Sequence, residues 1–278
     1  MDANQRGDSS RSLKIPRRLT ADGNADRIRL CAAFKNGYKE VEGYSKYLQR
    51  RIIIENGLVK PLLKGEDVHR YMPLSTDRFV IFPYDLSTGK AELFTESQIS
   101  SLFPKGYSYL KECETELRGR EKGRLENDSF WYRYIYPKNL MLFSKEKLVA
   151  PEISFGGNFS YDKNGHFYST TTVYGYIRKE NIRITYETLL AIMNSRLCWW
   201  FLKNTGTVLA NGYFRYKPAY LFPFPIPKIE ETEDRKIQEM VNQLLISEEK
   251  TCLLKNLDSC IYGLYGLTQN EIDQISNG

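Results

Sequence analysis

The sequence predicts an α+β fold in which a mixed or curved β-sheet is flanked by helices and followed by C-terminal helices. Runs rich in aromatic and β-branched residues, which are typical of strands, occupy residues 78–84 and 147–177. Apolar residues recur at three- and four-residue spacing, which is typical of helices, in residues 104–120, 185–206 and 229–255. The order in which the strands pair does not follow from these patterns.

Local signals mark the first strand and the helices after it. RFVIFPY, residues 78–84, suits a half-buried strand that ends at a proline. TESQ begins at Thr95 and has the pattern of a capping box, in which the Gln98 side chain answers Thr95, so a helix should begin there. A second helix is expected near Pro104, because proline is favoured at the first helical position. It should carry one apolar face and one charged face.

Residues 147–177 predict a β-rich meander. Its turns are GGN at residues 156–158 and DKNG at residues 162–165. Glycine and Asx residues supply the positive φ that tight hairpins need. Strands are therefore expected on both sides of each turn.

The C-terminal part predicts helices. Residues 185–206, TYETLLAIMNSRLCWWFLKNTG, have Thr185 as an N-cap, Gly206 as a stop and an apolar stripe between them. After the proline-rich FPFPIP, an amphipathic helix is expected over residues 229–255. TQNE, which begins at Thr268, repeats the capping-box pattern.

Composition bounds the class of protein. A chain of 278 residues that is 41% hydrophobic can bury one large core or two modest ones, which excludes a disordered protein. Forty Lys and Arg residues against 34 Asp and Glu residues leave a net charge of +6. This charge is compatible with a polyanionic partner but does not require one.

The cysteines and histidines do not have the spacing of a metal site. The five cysteines contain no CxxC pair, and His69 and His166 are the only histidines, so no structural metal is expected. The odd number and wide spacing of the cysteines fit a reducing cytoplasm. No apolar run approaches the ~20 residues of a membrane span, and the N-terminus lacks the apolar core of a signal peptide. A cytoplasmic protein with no membrane partner is therefore expected.

The first 54 residues carry weaker signals. Residues 1–25 combine Ser, Asp, Asn, Arg and Gly with scattered apolar positions, so a disordered tail is expected. A phosphate-gripping arm is the alternative, because this segment is rich in basic residues. Residues 26–54 are ambiguous and are interpreted as a connector of uncertain fold.

Several sequence blocks follow one another in the order of a known family. They are GLVKPLLKGEDVHRY (residues 57–71), FPY (82–84), YLK (109–111) with Arg118 and Arg120 beyond it, WY (131–132), NSRL (194–197) and FPFPIP (222–227). Together they resemble the TaqI-like C-terminal specificity domain of type II and type IIG restriction-modification methyltransferases, which are adenine-specific. Each block alone is weak evidence for the family, so the resemblance depends on the order of the blocks.

The resemblance covers roughly residue 55 to the C-terminus. It implies a DNA specificity domain over residues 55–229 and a C-terminal helical extension over residues 230–278. The connector would then be the remnant of a boundary to a missing catalytic domain. The last residues, LDSCIYGLYGLTQNEIDQI, resemble the natural end of these enzymes, so any truncation is expected at the front.

The motifs of catalysis are absent from the sequence. Adenine-N6 methyltransferases of this family carry [DNS]PP[YFW] and a glycine-rich S-adenosylmethionine turn, whereas this chain has no Pro-Pro pair, and SFGGNF reads as a β-turn. We expect no catalytic residue and no cofactor here, with S-adenosylmethionine bound only by the missing catalytic half. The sequence contains one ExK motif, formed by Glu248, Glu249 and Lys250, with Asp234 upstream. These residues lie in a predicted helix, whereas metal-dependent nucleases of this kind need them on paired strands, where they converge on a metal. A solvated helix face is favoured.

The sequence also contains basic and aromatic side chains that are suited to binding DNA. Arginine can fork onto guanine or a phosphate, and tyrosine can stack on a base or bind a phosphate oxygen. The candidate DNA-binding residues are Lys64, Arg70, Arg118, Arg120, Lys122, Arg124, Tyr132, Arg133, Tyr213, Arg215 and Lys217.

Each cluster has a structural alternative. Six acidic residues lie between Glu112 and Asp128, so the arginine-rich run could be a solvated helix of mixed charge. Arg70 could pair with an acid. Strand alternation would place Tyr213, Arg215 and Lys217 on one face, which either meets a DNA groove or backs onto core aromatics.

The leading hypothesis is that the chain is the target-recognition part of an adenine-specific DNA methyltransferase, with double-stranded DNA as partner. A second is an interaction subunit that docks a catalytic methyltransferase subunit through the helix of residues 229–255. A third is an idle, decayed fragment.

Overall fold

The computed structural model describes residues 13–14, 30–31, 39–169 and 171–277. Within them, Leu13–Lys14 forms a strand, and the rest of the predicted tail and of its alternative, the phosphate-gripping arm, lies outside the described residues. The strands are β1 (Leu13–Lys14), β2 (Leu30–Cys31), β3 (Glu40–Ser45), β4 (Arg50–Glu55), β5 (Val59–Leu63), β6 (Arg78–Ile81), β7 (Tyr84–Asp85), β8 (Glu92–Leu93), β9 (Lys147–Pro151), β10 (Ile153–Ser154), β11 (Ser160–Asp162), β12 (Tyr168–Ser169), β13 (Val173–Arg178) and β14 (Phe214–Arg215).

Helices lie between the strands and make up most of the chain after residue 185. They are α1 (Glu96–Leu102), α2 (Pro104–Glu112), α3 (Glu114–Arg118), α4 (Arg120–Gly123), α5 (Leu140–Phe143), α6 (Tyr186–Asn194), α7 (Arg196–Thr205), α8 (Pro218–Leu221), α9 (Glu231–Ile246), α10 (Thr251–Leu264) and α11 (Gln269–Asn277). The α+β class with C-terminal helices is confirmed.

Two larger sheets and two short ribbons contain the strands. The six-stranded sheet has the order β12-β5-β6-β2-β3-β4, and the four-stranded sheet has the order β1-β13-β9-β11. β12 pairs with β5 in parallel, whereas the other pairs are antiparallel, so the larger sheet is mixed, as predicted. The ribbons are β7-β8 and β10-β14.

Strand alternation explains how the six-stranded sheet is covered on both faces. In β6, Phe79 and Ile81 pack with the buried residues of α1 to α3, while Val80 joins a cluster of aromatic side chains on the opposite face. Successive side chains of a strand point to opposite faces, so RFVIFPY supplies both layers at once. The sequence had predicted only a half-buried strand here.

The segment interpreted as a connector contributes part of this sheet. β3 and β4 form a hairpin, and β2 joins that hairpin to β6. Val41, Ile52 and Ile54 are buried in the cluster under α1 and α2. The domain boundaries drawn at residues 54/55 and 229/230 remain predictions.

A second core surrounds α6, all of whose residues are buried. It packs against α9 and the four-stranded sheet, with Ile237, Val241 and Leu244 of α9 completely buried. α9 is thus held by its apolar stripe within the chain, and the C-terminal helices close this side of the molecule.

Three predicted helices are each divided. The helix predicted over residues 104–120 ends at Glu112, and α3 begins at Glu114. The long helix of residues 185–206 stops at Asn194 and restarts at Arg196, because Ser195 has an extended backbone and its Oγ accepts the Cys198 amide at 3.1 Å. The helix of residues 229–255 ends at Ile246, and the next begins at Thr251. The prediction that Glu248, Glu249 and Lys250 lie in a helix was therefore wrong.

The predicted helix starts are confirmed. At Thr95 the hydroxyl accepts the Gln98 amide at 3.2 Å, and the Gln98 side chain accepts the Thr95 amide at 2.8 Å. Thr185 caps α6 in the same way by accepting the Thr188 amide. Thr268 and Glu271 repeat the reciprocal arrangement.

The meander pairs differently from a chain of hairpins. β11 and β13 both pair with β9, and β12 leaves the group to pair with β5. The DKNG turn therefore does not join two paired strands. Gly165 still requires its positive φ of 60°, and a Cβ there would clash with the Ser144 carbonyl.

Candidate nucleic-acid interface

The two arginines at the start of the RGREKGR run point into the protein. Arg118 Nη1 donates to the carbonyl oxygens of Glu126 and Asp128, both at 2.9 Å, and its Nε donates to Glu114. Arg120 is 8% exposed and donates to the carbonyl oxygens of Leu117, Trp131 and Arg133 at 2.8 to 2.9 Å. These contacts fasten the segment of residues 125–133 to the end of α3.

The next two cations of the run point outward. Lys122 is exposed and lies in a left-handed turn with Glu121 and Gly123 (φ 62°, 47° and 79°). Arg124 is also exposed, donates to Tyr136 Oη at 2.9 Å and stacks on that ring. Arg124 also forms an ion pair with the exposed Glu121 at 3.4 Å. The two cations Lys122 and Arg124 are here called the loop surface.

Tyr132 and Arg133 form hydrogen bonds that hold the segment of residues 125–133 in place. Tyr132 is 4% exposed and donates to the Phe94 carbonyl at 2.7 Å, and burial raises the pKa of its hydroxyl to about 12. Arg133 is engaged by Asp128, whose Oδ2 accepts from Nε at 2.9 Å and Nη2 at 2.8 Å. Hydrogen bonds from the Phe130 amide and from Arg133 keep the pKa of Asp128 below its usual value.

Arg70 links two parts of the fold. Its Nη2 donates to the Asn194 carbonyl at the end of α6 at 2.6 Å, and its backbone amide donates to Asn158. It is therefore held by a backbone carbonyl, and no carboxylate of the described residues forms an ion pair with it. Val68 and Tyr71 beside it are 1% and 2% exposed, so they anchor this segment in the core. Lys64, which caps a 3₁₀ turn, is half-buried.

The predicted alternation of residues 213–217 is confirmed by burial. Phe214 and Tyr216 are 8% and 1% exposed, while Tyr213 is 43% exposed and Arg215 and Lys217 are half-buried. β14 pairs antiparallel with β10, and the register places Arg215 opposite Ile153. The three candidates thus lie on the outward side of a two-stranded ribbon.

Phe155 belongs to the same face and was not a candidate. It follows β10, is 64% exposed, and its ring centroid lies 5.9 Å from that of Tyr213 and 6.1 Å from that of Trp199. The signal that could have found it is an aromatic residue directly before a Gly-Gly turn, where the side chain is exposed. Ile153, Phe155, Tyr213, Arg215 and Lys217 together are called the ribbon surface.

The charge of the ribbon surface is positive. Lys217 Nζ lies 6.0 Å from the Tyr220 ring centroid, and Arg215 Nε is buried without a hydrogen-bond partner among the described residues. Within that part of the chain, no carboxylate forms an ion pair with either cation. The ribbon surface therefore combines exposed aromatic rings with unneutralised positive charge.

Other kinds of site have less support. Asp234 is buried and accepts the Thr185 amide and hydroxyl, so it caps α6, while Lys250 donates to the Tyr71 carbonyl. In the described part of the chain, no group of three or more His, Cys, Asp or Glu residues is arranged to hold a metal ion. No described helix combines the length and apolarity needed to cross a membrane.

A basic and aromatic ribbon mounted on an α+β scaffold is a surface suited to binding. The family model of the TaqI-like C-terminal specificity domain matches residues 60–226, which is more than half of the chain. The chain therefore belongs to this family, as the order of sequence blocks had indicated.

Two curated relatives are similar to this chain. The type II methyltransferase M.BanIII of Aneurinibacillus aneurinilyticus is 22% identical over 195 residues, which cover 68% of this chain and 32% of the relative. The type II methyltransferase M.HindII of Haemophilus influenzae (strain ATCC 51907 / DSM 11121 / KW20 / Rd) is 28% identical over 122 residues, which cover 41% of this chain and 24% of the relative. The chain thus spans a third or less of the length of these relatives.

Proposed function

We propose that this chain is the DNA target-recognition part of an adenine-N6 methyltransferase of a restriction-modification system. It binds duplex DNA by sequence, while another polypeptide or domain transfers the methyl group. The observation that carries the proposal is the match of residues 60–226 to a specificity domain. Both curated relatives are named as type II methyltransferases, which supports the same reading.

The ribbon surface is proposed as the element that reads bases. The major groove of B-DNA admits a two-stranded β-ribbon. Tyr213 is exposed directly before β14, and Arg215 is half-buried on the same side of the ribbon. An arginine can recognise guanine with two hydrogen bonds, and Lys217 is suited to a phosphate at the edge of the groove.

The loop surface is proposed as a phosphate contact. Lys122 and Arg124 are exposed at a left-handed turn. Cations that contact phosphates contribute to affinity but do not distinguish one base sequence from another. Arg70, Arg118, Arg120, Tyr132 and Arg133 already hold backbone carbonyls or Asp128. We therefore propose that these five position the DNA-binding segments, and that Lys64 is a further phosphate contact.

Methyl transfer is assigned to a partner. The sequence has no Pro-Pro pair for an adenine-binding tetrapeptide, so S-adenosylmethionine and the catalytic motif belong to a catalytic methyltransferase subunit or domain. The chain would act with that partner on DNA in the cytoplasm. The rival idea, docking through the apolar stripe of α9, has little support because Ile237, Val241 and Leu244 are completely buried within this chain.

The test is selection of duplex DNA from a random pool by the purified chain, with affinity then followed across salt concentrations. We expect enrichment of a short adenine-containing site and a salt-dependent affinity. The Arg215→Ala, Lys217→Ala double variant should bind the selected site at least about tenfold more weakly. Lys236→Ala, which removes an exposed charge from α9, is the matched control and should bind as the wild type does.

Two results would contradict the proposal. A chain that binds no duplex DNA even at low salt, with its fold intact by circular dichroism, would remove the recognition role. Transfer of a labelled methyl group from S-adenosylmethionine to DNA by this chain alone would remove the assignment of catalysis to a partner.

A further inference from the structure

Phe155 is the most exposed aromatic side chain of the ribbon surface. At 64% exposure it leaves a large apolar ring in water, which is unfavourable unless a partner covers it. Tyr213 at 43% and Ile153 at 44% extend the same apolar patch along the two strands. The patch lies beside Arg215, the cross-strand neighbour of Ile153.

The turn that carries Phe155 is held in place by hydrogen bonds. Ser154 Oγ donates to the Gly156 carbonyl at 3.0 Å, and Tyr216 Oη donates to the same oxygen at 2.7 Å. Asn158 Nδ2 donates to Ser154 Oγ at 2.6 Å. These hydrogen bonds restrict the turn before any partner binds. Binding through the Phe155 ring therefore costs little conformational entropy.

A glycine of the neighbouring loop lies against the ring, in a backbone conformation that favours glycine. Gly212 has a φ of 74°, and a Cβ there would lie 3.4 Å from the Phe155 ring. Trp199 and Tyr213 flank the other sides of the ring. The Phe155 ring therefore has defined neighbours on its protein side and an open face towards solvent.

The chemistry of the major groove limits what an apolar ring can recognise there. Each base pair displays hydrogen-bonding groups, and the apolar group on that edge is the 5-methyl group of thymine. Neighbouring cations that are not neutralised favour a polyanion over an apolar protein face as the occupant of this surface.

We infer that Phe155, supported by Tyr213, determines sequence selectivity by an apolar contact with the 5-methyl group of thymine in the major groove of duplex DNA. This inference rests on the proposed function, because it gives one residue of the ribbon surface a particular base contact. It adds apolar recognition by Phe155 to the polar recognition assigned to Arg215.

The experiment compares the selected site with versions in which each thymine in turn is replaced by deoxyuridine, which lacks only the methyl group. For the wild-type chain, one replacement should weaken binding about fourfold, the value of one buried methyl-sized group. Phe155→Ala should bind the thymine site about tenfold more weakly and should no longer distinguish thymine from deoxyuridine at that position. Phe155→Leu, which keeps an apolar side chain, should retain part of the discrimination.

Controls separate this inference from the proposed function. Tyr44→Ala removes another exposed aromatic side chain, at 40% exposure on β3, and should change neither affinity nor discrimination. Unfolding midpoints in urea should be similar for all variants, because both side chains are exposed. If the wild-type chain binds no DNA, the proposed function itself fails.

The inference alone fails if the wild-type chain binds its site selectively but Phe155→Ala binds equally well. It also fails if no thymine replacement changes the affinity of the wild-type chain. Loss of binding to a catalytic methyltransferase polypeptide by Phe155→Ala, with DNA affinity unchanged, would assign the ring to a protein interface instead.

Discussion

Lys147 and Asp162 face each other across β9 and β11 and form an ion pair of 2.5 Å that is almost completely buried, with side-chain exposures of 1% and 2%. The ammonium group also donates to the Phe143 carbonyl at 2.7 Å, and the carboxylate accepts the amides of His166 and Phe167. Burial lowers the pKa of the Lys147 ammonium, and the charge of Asp162 opposes this effect. The pair fixes the turn that leads from β11 towards β12.

Removing either partner should therefore destabilise the chain strongly. Asp162→Asn leaves a buried ammonium group without its countercharge, and Lys147→Met leaves a buried carboxylate, so each should lower the free energy of unfolding by about 3–5 kcal/mol. The double variant should cost less than the sum of the two single changes, since it leaves no unpaired charge. Urea unfolding measures all three, and additive effects of the single changes would show that the two groups do not act as a pair.

Arg120 should be a stability residue. Arg120→Ala removes hydrogen bonds to three carbonyl oxygens, and at least about 3 kcal/mol of unfolding free energy should be lost. Arg120→Lys should recover only part of this loss, because an ammonium group does not reproduce the planar fork of arginine. Arg124→Ala, at an exposed position of the same run, is the matched control and should cost no more than about 0.5 kcal/mol. An equal effect of both alanine variants would argue against this assignment.

Tyr132 should affect stability in a pH-dependent way. Its raised pKa means that the unfolded chain releases this proton first, so the contribution is complete below about pH 10 and is lost as the pH rises towards about 12. Tyr132→Phe removes the bond to Phe94 and should cost about 1 kcal/mol at about pH 8. The difference from wild type should shrink by about 1 kcal/mol at about pH 11.

Urea unfolding at the two pH values measures this difference. Tyr44→Phe, at an exposed position, serves as the control for general effects of removing a tyrosine hydroxyl. DNA affinity should be unchanged in Tyr132→Phe. A large loss of affinity in this variant, with stability intact, would return Tyr132 to the DNA contacts.

The loop surface should contribute to affinity through charge alone. Lys122→Ala and Arg124→Ala should each reduce the slope of log affinity against log salt by about 0.9, the value for one phosphate contact on duplex DNA. The preferred sequence should stay the same, and Lys236→Ala should leave the slope unchanged. A variant that changes the preferred sequence would place its side chain at a base edge and not at a phosphate.

Local sequence was sufficient wherever the interacting groups are neighbours in the chain. The capping residues Thr95, Thr185 and Thr268 were recognised because each answers a partner three residues away. The outward face of Tyr213, Arg215 and Lys217 follows from the two-residue period of a strand. The family was recognised from short blocks of residues and from the order in which they follow one another.

The sequence did not predict contacts between groups that are not close neighbours in the chain. Arg118, Arg120, Lys122 and Arg124 look equivalent in RGREKGR, yet the first two turn inward because carbonyl oxygens of residues 125–133 are presented to them. The pairing of β12 with β5 depends on strands about a hundred residues apart in the chain.

The sequence alone therefore determined the α+β class, the family and the positions of most caps, since these depend on composition, block order and contacts within one turn. Only the tertiary structure decided which cations remain exposed, that Ser195 divides a helix, and that Phe155 joins Tyr213 on one surface. The physical reason is that burial and hydrogen bonding of a side chain depend on what the rest of the fold brings beside it.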